Sequence, residues 1–509
     1  MKTEGRGVPG ASFLLGKARP LVLARLCTAV LTTAIPLVLA RWMNLRDYGT
    51  YKQLFLLVQT LSYVLPFGFP QSVYFFAPRA EHKRPFFMHS LLFTTLMGLL
   101  AAAVMGWGLS GVLARYFSNP ALSEYRLPVA LYVLFFMSSK PLEMSLTSQG
   151  KTQAASISYL VSDTLRAVTM VAPVLLGFGL KGVMFAVAGF SALRCLASWL
   201  VLYKGSTGPF CDRPLFMRQL AYALPYGLAM ALAIPQQYAH QYVVSGLMAP
   251  EVFALYAVGC FQLPIVDLLY TPTSEVLMVR LGEMDKEARV HEGVSAFRQA
   301  VVELSRLFFP LSAFLMVVAP DFIAALFGEK FLPAAPVFRV GQIGVLLAVL
   351  PVEGVLRARH ETRHILLSYG VKALVTVPLV YFGVRWFGLM GGIGSWAITE
   401  VVGKGMLLLR LRRALSPGGR VLSYRELLPW RDVSMTLGAS VLAALLLLVL
   451  RALAGPTWSH LQPHSFVWRF GLLAVMGLVF GGGYLLALRM AGVRVSSLLT
   501  ALGGQRGAA

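Results

Sequence analysis

The stretch Leu91-Leu92-Phe93-Thr94-Thr95-Leu96-Met97-Gly98-Leu99-Leu100-Ala101-Ala102-Ala103-Val104-Met105 lies inside a run, 86 to 110, that holds no Asp, Glu, Lys or Arg. A helix of about 20 such residues crosses a hydrocarbon core of about 30 Å. Comparable runs recur at 20–40, 52–77, 124–145, 154–178, 182–203, 217–245, 251–278, 300–326, 334–356, 364–385, 388–409, 433–454 and 466–489. They predict an all-α polytopic membrane protein with about 14 transmembrane helices. Composition agrees, with 57% of the 509 residues hydrophobic and 13% charged, against about 25% charged in a soluble domain. The first run ends in Val38-Leu39-Ala40, which faintly resembles a cleavage site, but it is long and carries Arg25, so it reads as a retained helix.

Lys and Arg number 45 against 22 acids, a formal charge of +23. In a soluble protein that excess would suggest nucleic acid; here the cations collect in alternate short loops, as cytoplasmic connections require. Arg79, Lys83, Arg84, Lys151, Lys204, Arg213, Arg218, Arg280, Arg357, Arg359, Arg363, Arg410, Arg412, Arg413, Arg420, Arg425 and Arg431 fall on one side, Arg41, Arg46, Arg115, Arg126, Lys181, Lys330, Arg385 and Arg451 on the other. This bias places both termini in the cytoplasm, and no nucleic-acid partner is expected. Cys27, Cys195 and Cys260 sit in apolar runs and Cys211 in a basic loop, so no disulfide framework is implied.

Shifting the chain by 210 residues aligns Ala114 with Ala324, Phe117 with Phe327, Pro141 with Pro351, Glu143 with Glu353, Leu146 with Leu356, Thr152 with Thr362, Ser158-Tyr159 with Ser368-Tyr369, Gly182 with Gly392, and Arg194 with Lys404. Tyr51 pairs with Tyr256 at an offset of 205. Helices 1 to 6 and 7 to 12 then repeat in parallel, because six crossings return the chain to its starting side. The expected division is an N-lobe at 1–205, a C-lobe at 206–411, and a basic linker with helices 13 and 14 at 412–509, the two six-helix lobes enclosing a central cavity. Pro66 and Pro70 on helix 2 answer Pro264 and Pro272 on helix 8, the pattern of interrupted, substrate-lining helices or of plain kinks.

Ionisable residues inside the spans are expensive, about 2.5–3.5 kcal/mol each at the bilayer centre, so most must face a cavity or one another. The candidate substrate-binding cations are Arg25, Lys52, Lys140, Arg166, Arg194, Arg339, Lys372 and Lys404; the candidate ion-coupling acids are Glu143, Asp163, Asp267, Glu353 and Glu400. Spacings of three and four predict local pairs for Asp163 with Arg166 and for Glu400 with Lys404. Arg25, Lys52, Arg339 and Glu353 lie near helix ends, within reach of the interface. Arg194, Lys372 and Asp267 are deeper and lack a partner on their own helix, which makes them the sharpest cavity candidates. The slight excess of cations suits a phosphate-bearing ligand.

Two motifs suggest other chemistry. His360-Glu361-Thr362-Arg363-His364 fits H-E-x-x-H, but it lies in a short basic loop with no third ligand in view, so no metal is expected. Gly150-Lys151-Thr152 resembles the end of a phosphate-binding loop, yet Ser145 stands where the first glycine belongs and no buried strand precedes it, so ATP hydrolysis is not expected.

Ile35-Pro36, Leu39-Ala40-Arg41, Asp47-Tyr48-Gly49-Thr50-Tyr51 and Gly68-Phe69-Pro70-Gln71-Ser72, followed far downstream by Ala325-Leu326-Phe327-Gly328-Glu329-Lys330-Phe331-Leu332 and Ala334-Ala335-Pro336, carry a resemblance to a known family. The chain resembles the Wzx-type polysaccharide flippases, in the polysaccharide transporter branch of the multidrug/oligosaccharidyl-lipid/polysaccharide exporter superfamily. The resemblance implies a cofactor-free transporter of the cell (inner) membrane, not an enzyme. Its implied action is alternating access that carries an undecaprenyl-pyrophosphate-linked oligosaccharide across the bilayer for O-antigen, capsule or exopolysaccharide synthesis. It further implies membrane lipid, a polysaccharide polymerase and a chain-length regulator as partners, and a cavity-cation role for Arg25. A lipid II flippase and an ion-coupled small-molecule exporter share the architecture and stand as alternatives. A membrane glycan polymerase or ligase is the rival of a different class, set back by the lack of a long external loop.

Overall fold

A computed structural model of the chain describes residues 11–286, 292–416, 421–460 and 466–492, with side chains over 27–284, 292–416, 421–453 and 468–492. Among the described residues every regular element is helical. The chain packs into two compact units, residues 1–238 with 245–254, and residues 239–244 with 255–509.

Unit 1 holds α1 (Ala11–Trp42), α2 (Leu45–Val64), α3 (Ser72–Phe76), α4 (Arg84–Gly108), α5 (Val112–Tyr116), α6 (Arg126–Ser139), α7 (Pro141–Ser148), α8 (Thr152–Leu175), α9 (Gly179–Lys204) and most of α10 (Arg213–Leu247). Asn44 starts α2 by accepting the Asp47 backbone N–H at 2.7 Å, while its amide donates to the Asp47 carboxylate at 2.9 Å. One orphan N–H of the first turn is thereby satisfied, and the side-chain bond holds the cap in place. Gly49 follows because a Cβ there would lie 1.9 Å from the Pro250 carbonyl oxygen. The Asp47–Tyr51 motif is thus a helix start plus a close backbone approach, with Tyr48 and Tyr51 buried behind it.

α2 ends at a break where Phe67 and Gly68 take positive φ, 47° and 67°. A side chain at Gly68 would strike the Tyr226 ring at 2.3 Å. The chain resumes at Phe69 bent by 47°. A buried network fastens the resumed segment to α4 and α10: Asp212 donates its N–H to His89 Nε2 at 3.0 Å, His89 Nδ1 contacts Gln219 Oε1 at 2.8 Å, and Gln219 donates to Ser72 at 3.0 Å. Residues 206–238 therefore pack with unit 1.

Unit 2 holds the second half of α11 (Pro250–Gly259) with α12 (Pro264–Lys286), α13 (Glu292–Phe327), α14 (Ala335–Leu347), α15 (Val352–Ala358), α16 (Thr362–Ala414), α17 (Tyr424–Leu427), α18 (Trp430–His460) and α19 (Phe466–Met490). α11 and α12 are bent by 48° at their break, the counterpart of the 47° break in unit 1. The proline-bearing helices 2 and 8 are therefore both interrupted. α16 is two helices: Gly388 takes φ 58°, ψ −141°, and the halves fold back antiparallel, with Ser395 donating to Leu379 O at 2.9 Å. Gly391 makes that close return possible, since a Cβ there would lie 1.8 Å from Gly383 O.

The cores repeat as the sequence does. In unit 1, Leu142, Leu146 and Ala155 pack with Val73, Phe87 and Leu91; 210 residues on, Val352, Leu356 and Ile365 pack with Leu281, Phe297 and Leu304. Short 3-10 helices at Pro120–Tyr125 and Glu329–Ala334 also correspond. α18 and α19 dock on α13 through Val318, Ala443, Phe480 and Tyr484. That contact is pinned by an Arg451–Asp321 pair at 2.8 Å and an Arg469–Glu329 pair.

Among the described residues eight helices are long and apolar enough to cross a membrane, or ten with each bent pair counted as one span. α8 and α10, expected as crossings, are not among them because they carry polar residues: Asp163 and Arg166 on α8, Gln219, Gln236, Gln237 and His240 on α10. Of α1, only Cys27–Trp42 registers as apolar, over its described side chains. The chain is a polytopic all-helical membrane protein, and its fourteen-crossing count remains an expectation from the sequence.

Candidate functional site

In unit 1 the charged residues of α6 to α9 converge. Glu143, in the first turn of α7, is buried, and its carboxylate takes two donors, Arg194 Nη2 from α9 at 2.8 Å and the Ser158 hydroxyl from α8 at 2.8 Å. Pro141 opens α7 at a position where its missing N–H costs nothing, which sets Glu143 on the inner face of that turn. Asp163 and Arg166 form the expected pair at 2.8 Å. Lys140 donates to the Ser62 carbonyl and lies 5.1 Å and 5.3 Å from the Tyr63 and Phe136 ring centroids. Arg194 is within electrostatic reach of both Lys140 and Asp163. The cluster sets three cations, Lys140, Arg166 and Arg194, against two carboxylates, Glu143 and Asp163. Arg194 Nε is buried with no hydrogen-bond partner among the described residues.

In unit 2 Lys404 Nζ meets Glu353 Oε2 at 2.8 Å and the Leu350 carbonyl at 3.1 Å, while Tyr270 donates to the same Glu353 oxygen at 2.7 Å. Lys372 pairs with Glu400 at 2.7 Å across the two halves of α16. Two cations here balance two carboxylates.

These contacts correct one sequence-based expectation: Glu400 and Lys404 share a helix but do not pair. Lys404 turns to Glu353 on α15, and Glu400 is taken by Lys372, whose stem packs on Gly403 in the space a side chain would fill. Arg194 and Lys372, expected without partners on their own helices, each find a carboxylate on a neighbouring helical segment. Asp267 lies exposed on α12. Arg339 is exposed and donates to the Met316 carbonyl at 3.0 Å. Lys52 lies 5.5 Å from the Tyr48 ring and 5.9 Å from Tyr51. Arg25 belongs to α1, but its side chain lies outside the described residues.

The H-E-x-x-H segment is not one helical turn. His360 has φ 59° and precedes α16, which starts at Thr362, so the two histidines do not share a helix face. Glu361 accepts from Arg410 and lies 2.7 Å from His364 Nδ1. The Arg410 guanidinium, by its hydrogen bond and then its charge, holds the Glu361 carboxyl below its ordinary value. Gly150, in the other motif, is a positive-φ turn (76°) between α7 and α8.

Residues 38–336 match the family described as "Polysaccharide biosynthesis protein". An uncharacterized membrane protein in the cps region of Klebsiella pneumoniae is 23% identical over 195 residues, which are 36% of this chain and 39% of that protein. The match thus spans well under half of that relative. Among solved structures, the lipid II flippase MurJ in an inward closed conformation is similar with a TM-score of 0.69 at 12% identity, over 95% of this chain and 100% of that one. An outward-facing multidrug resistance MATE family transporter gives 0.54 at 18% identity over 82% and 98%. A superfamily transporter from Pyrococcus furiosus gives 0.51 at 15% over 79% and 95%.

Proposed function

Because this chain belongs to the polysaccharide biosynthesis protein family, we propose that it is a flippase that carries an undecaprenyl-pyrophosphate-linked oligosaccharide repeat unit across the cell (inner) membrane by alternating access, with both termini in the cytoplasm. One observation carries the site: the surplus cation of the Lys140–Glu143–Asp163–Arg166–Arg194 cluster in unit 1, with a guanidinium N–H of Arg194 left over after Glu143 is satisfied. A guanidinium with a free N–H and a nearby ammonium present the donors that a pyrophosphate accepts. Glu143 holds Arg194 in place and gives it an alternative partner, so binding exchanges one acceptor for another instead of exposing a bare charge. Lys372 and Lys404, already balanced by Glu400 and Glu353, are assigned to holding unit 2 together. Protonation of either acid of this cluster would release a cation toward the ligand, Arg194 from Glu143 or Arg166 from Asp163; Glu143, the more buried of the two, is the first candidate for proton coupling.

The test is a deletion strain. It should lose surface polysaccharide and accumulate the lipid-linked repeat unit on the cytoplasmic leaflet, and the wild-type chain should reverse both. Unchanged surface polysaccharide with no accumulated repeat unit rules the reading out; accumulation of lipid II in its place assigns the chain to the cell wall.

A further inference from the structure

Away from the buried charges, unit 2 carries a second basic site. A pocket of about 570 Å³ is lined by Arg298 of α13 and by Tyr424, Arg425, Leu428, Trp430 and Arg431 of the α17–α18 segment. Its volume is in the range of small-molecule sites, roughly 300–1,000 Å³. The walls are built rather than incidental. Ser423 and Glu426 cap α17 reciprocally at 3.2 Å and 2.7 Å, which occupies the acid nearest the pocket. Leu427 anchors the turn in the core, fully buried. Arg412 lies 4.3 Å from the Tyr424 ring and donates to Leu422 O at 2.6 Å, and Trp430 Nε1 donates to Tyr424 O at 2.9 Å. Among the described residues no ion pair ties Arg298, Arg425 or Arg431 to a carboxylate; Arg298 reaches only the Glu426 carbonyl, at 3.4 Å.

Three guanidinium groups without acid partners around a hollow specify a phosphate-bearing ligand. The surroundings specify its source. Trp430 begins α18 and heads an exposed apolar stripe, Leu437, Val441, Leu445 and Leu448, each 42–51% exposed, at helical spacing. Aromatic rings at the start of a membrane span mark the headgroup level. We propose that the pocket binds the phosphate headgroup of an anionic phospholipid, with an acyl chain lying along the α18 stripe. The lipid then bridges α13 and the α17–α18 segment, and this holds whatever the protein transports.

The experiment is native mass spectrometry of the full purified chain in detergent, with phosphatidylglycerol, cardiolipin and phosphatidylcholine supplied at equal concentration and inorganic phosphate as competitor. The wild type should retain one anionic lipid in preference to phosphatidylcholine. Arg298→Gln with Arg425→Gln and Arg431→Gln should weaken that retention roughly a hundredfold, and Arg425→Gln alone about fivefold. If the triple variant melts early, the single variant decides, since Arg425 is exposed on a short turn. Equal retention by wild type and variants, or equal retention of phosphatidylcholine, overturns the proposal. Displacement of the lipid by millimolar inorganic phosphate overturns the lipid source and leaves a soluble phosphate compound as the ligand.

Discussion

Unit 1 and unit 2 hold the same ion pair in different surroundings. Glu143 with Arg194 and Glu353 with Lys404 stand 210 residues apart at both members, each acid in the first turn of a short helix opened at a proline, each pair closed at 2.8 Å. Around the first pair are a second cation, Lys140, and a hydroxyl donor, Ser158. Around the second are Tyr270 and, at the position of Lys140, Leu350, whose carbonyl Lys404 takes as an acceptor. The pair recurs in both units at the 210-residue register, while the surplus positive charge stands in unit 1 alone. On the proposed reading the pairs hold the two units together and the surplus charge binds the ligand.

The largest expected effect comes from breaking the more buried pair. Arg194→Ala strands Glu143, whose side chain is 3% exposed, and should destabilise the protein by about 3–5 kcal/mol, read as a lower unfolding midpoint in detergent. Adding Glu143→Gln should recover most of that loss, because the stranded charge is gone. No recovery would mean that Arg194 acts through something other than its carboxylate.

Lys404→Ala should cost less, since the Glu353 side chain is 16% exposed against 3% for Glu143 and keeps the Tyr270 donor as Glu143 keeps Ser158. Adding Tyr270→Phe should then remove about 1–3 kcal/mol more. If Lys404→Ala proves as damaging as Arg194→Ala, the two pairs are equivalent and the asymmetry lies elsewhere.

Lys140→Leu makes unit 1 match unit 2 at this position. It removes one charge-assisted contact of about 1.5–3 kcal/mol, so binding of the polyprenyl-pyrophosphate ligand should weaken roughly ten- to hundredfold, and loss of the bond to the Ser62 carbonyl should lower the unfolding midpoint by the equivalent of about 1–3 kcal/mol. Normal surface polysaccharide in this variant at normal membrane levels sinks the surplus-cation idea.

The smallest effect is at Glu361. Its carboxyl is held low by Arg410, so the contact contributes stability that is present above the unfolded value of about 4.3 and is lost as pH falls through the lower folded value. A pH series of melting midpoints should show a decline below about pH 4.3 that Arg410→Gln flattens, with a difference at neutral pH of at most about 1 kcal/mol.

Much of this was legible early. Uncharged runs near 20 residues read as membrane helices, and the 210-residue register marks both members of both recurring pairs. The proline positions on helices 2 and 8 marked the two breaks. What failed was partner choice. Helical spacing says that Glu400 and Lys404 share a face, but not which neighbouring helix that face meets.

The amino-acid sequence by itself determined the solvent of this protein, its helical class, its 210-residue register and the roster of charges within the spans, because each follows from local composition and from periodicity along one chain. Only tertiary structure decided which charges neutralise one another, that residues 206–238 pack with the first unit through His89 and Gln219, and that three arginines distant in sequence or separated by a turn surround one pocket. Those are matters of which helix faces which, and a buried charge takes its partner from whatever neighbour the packing supplies.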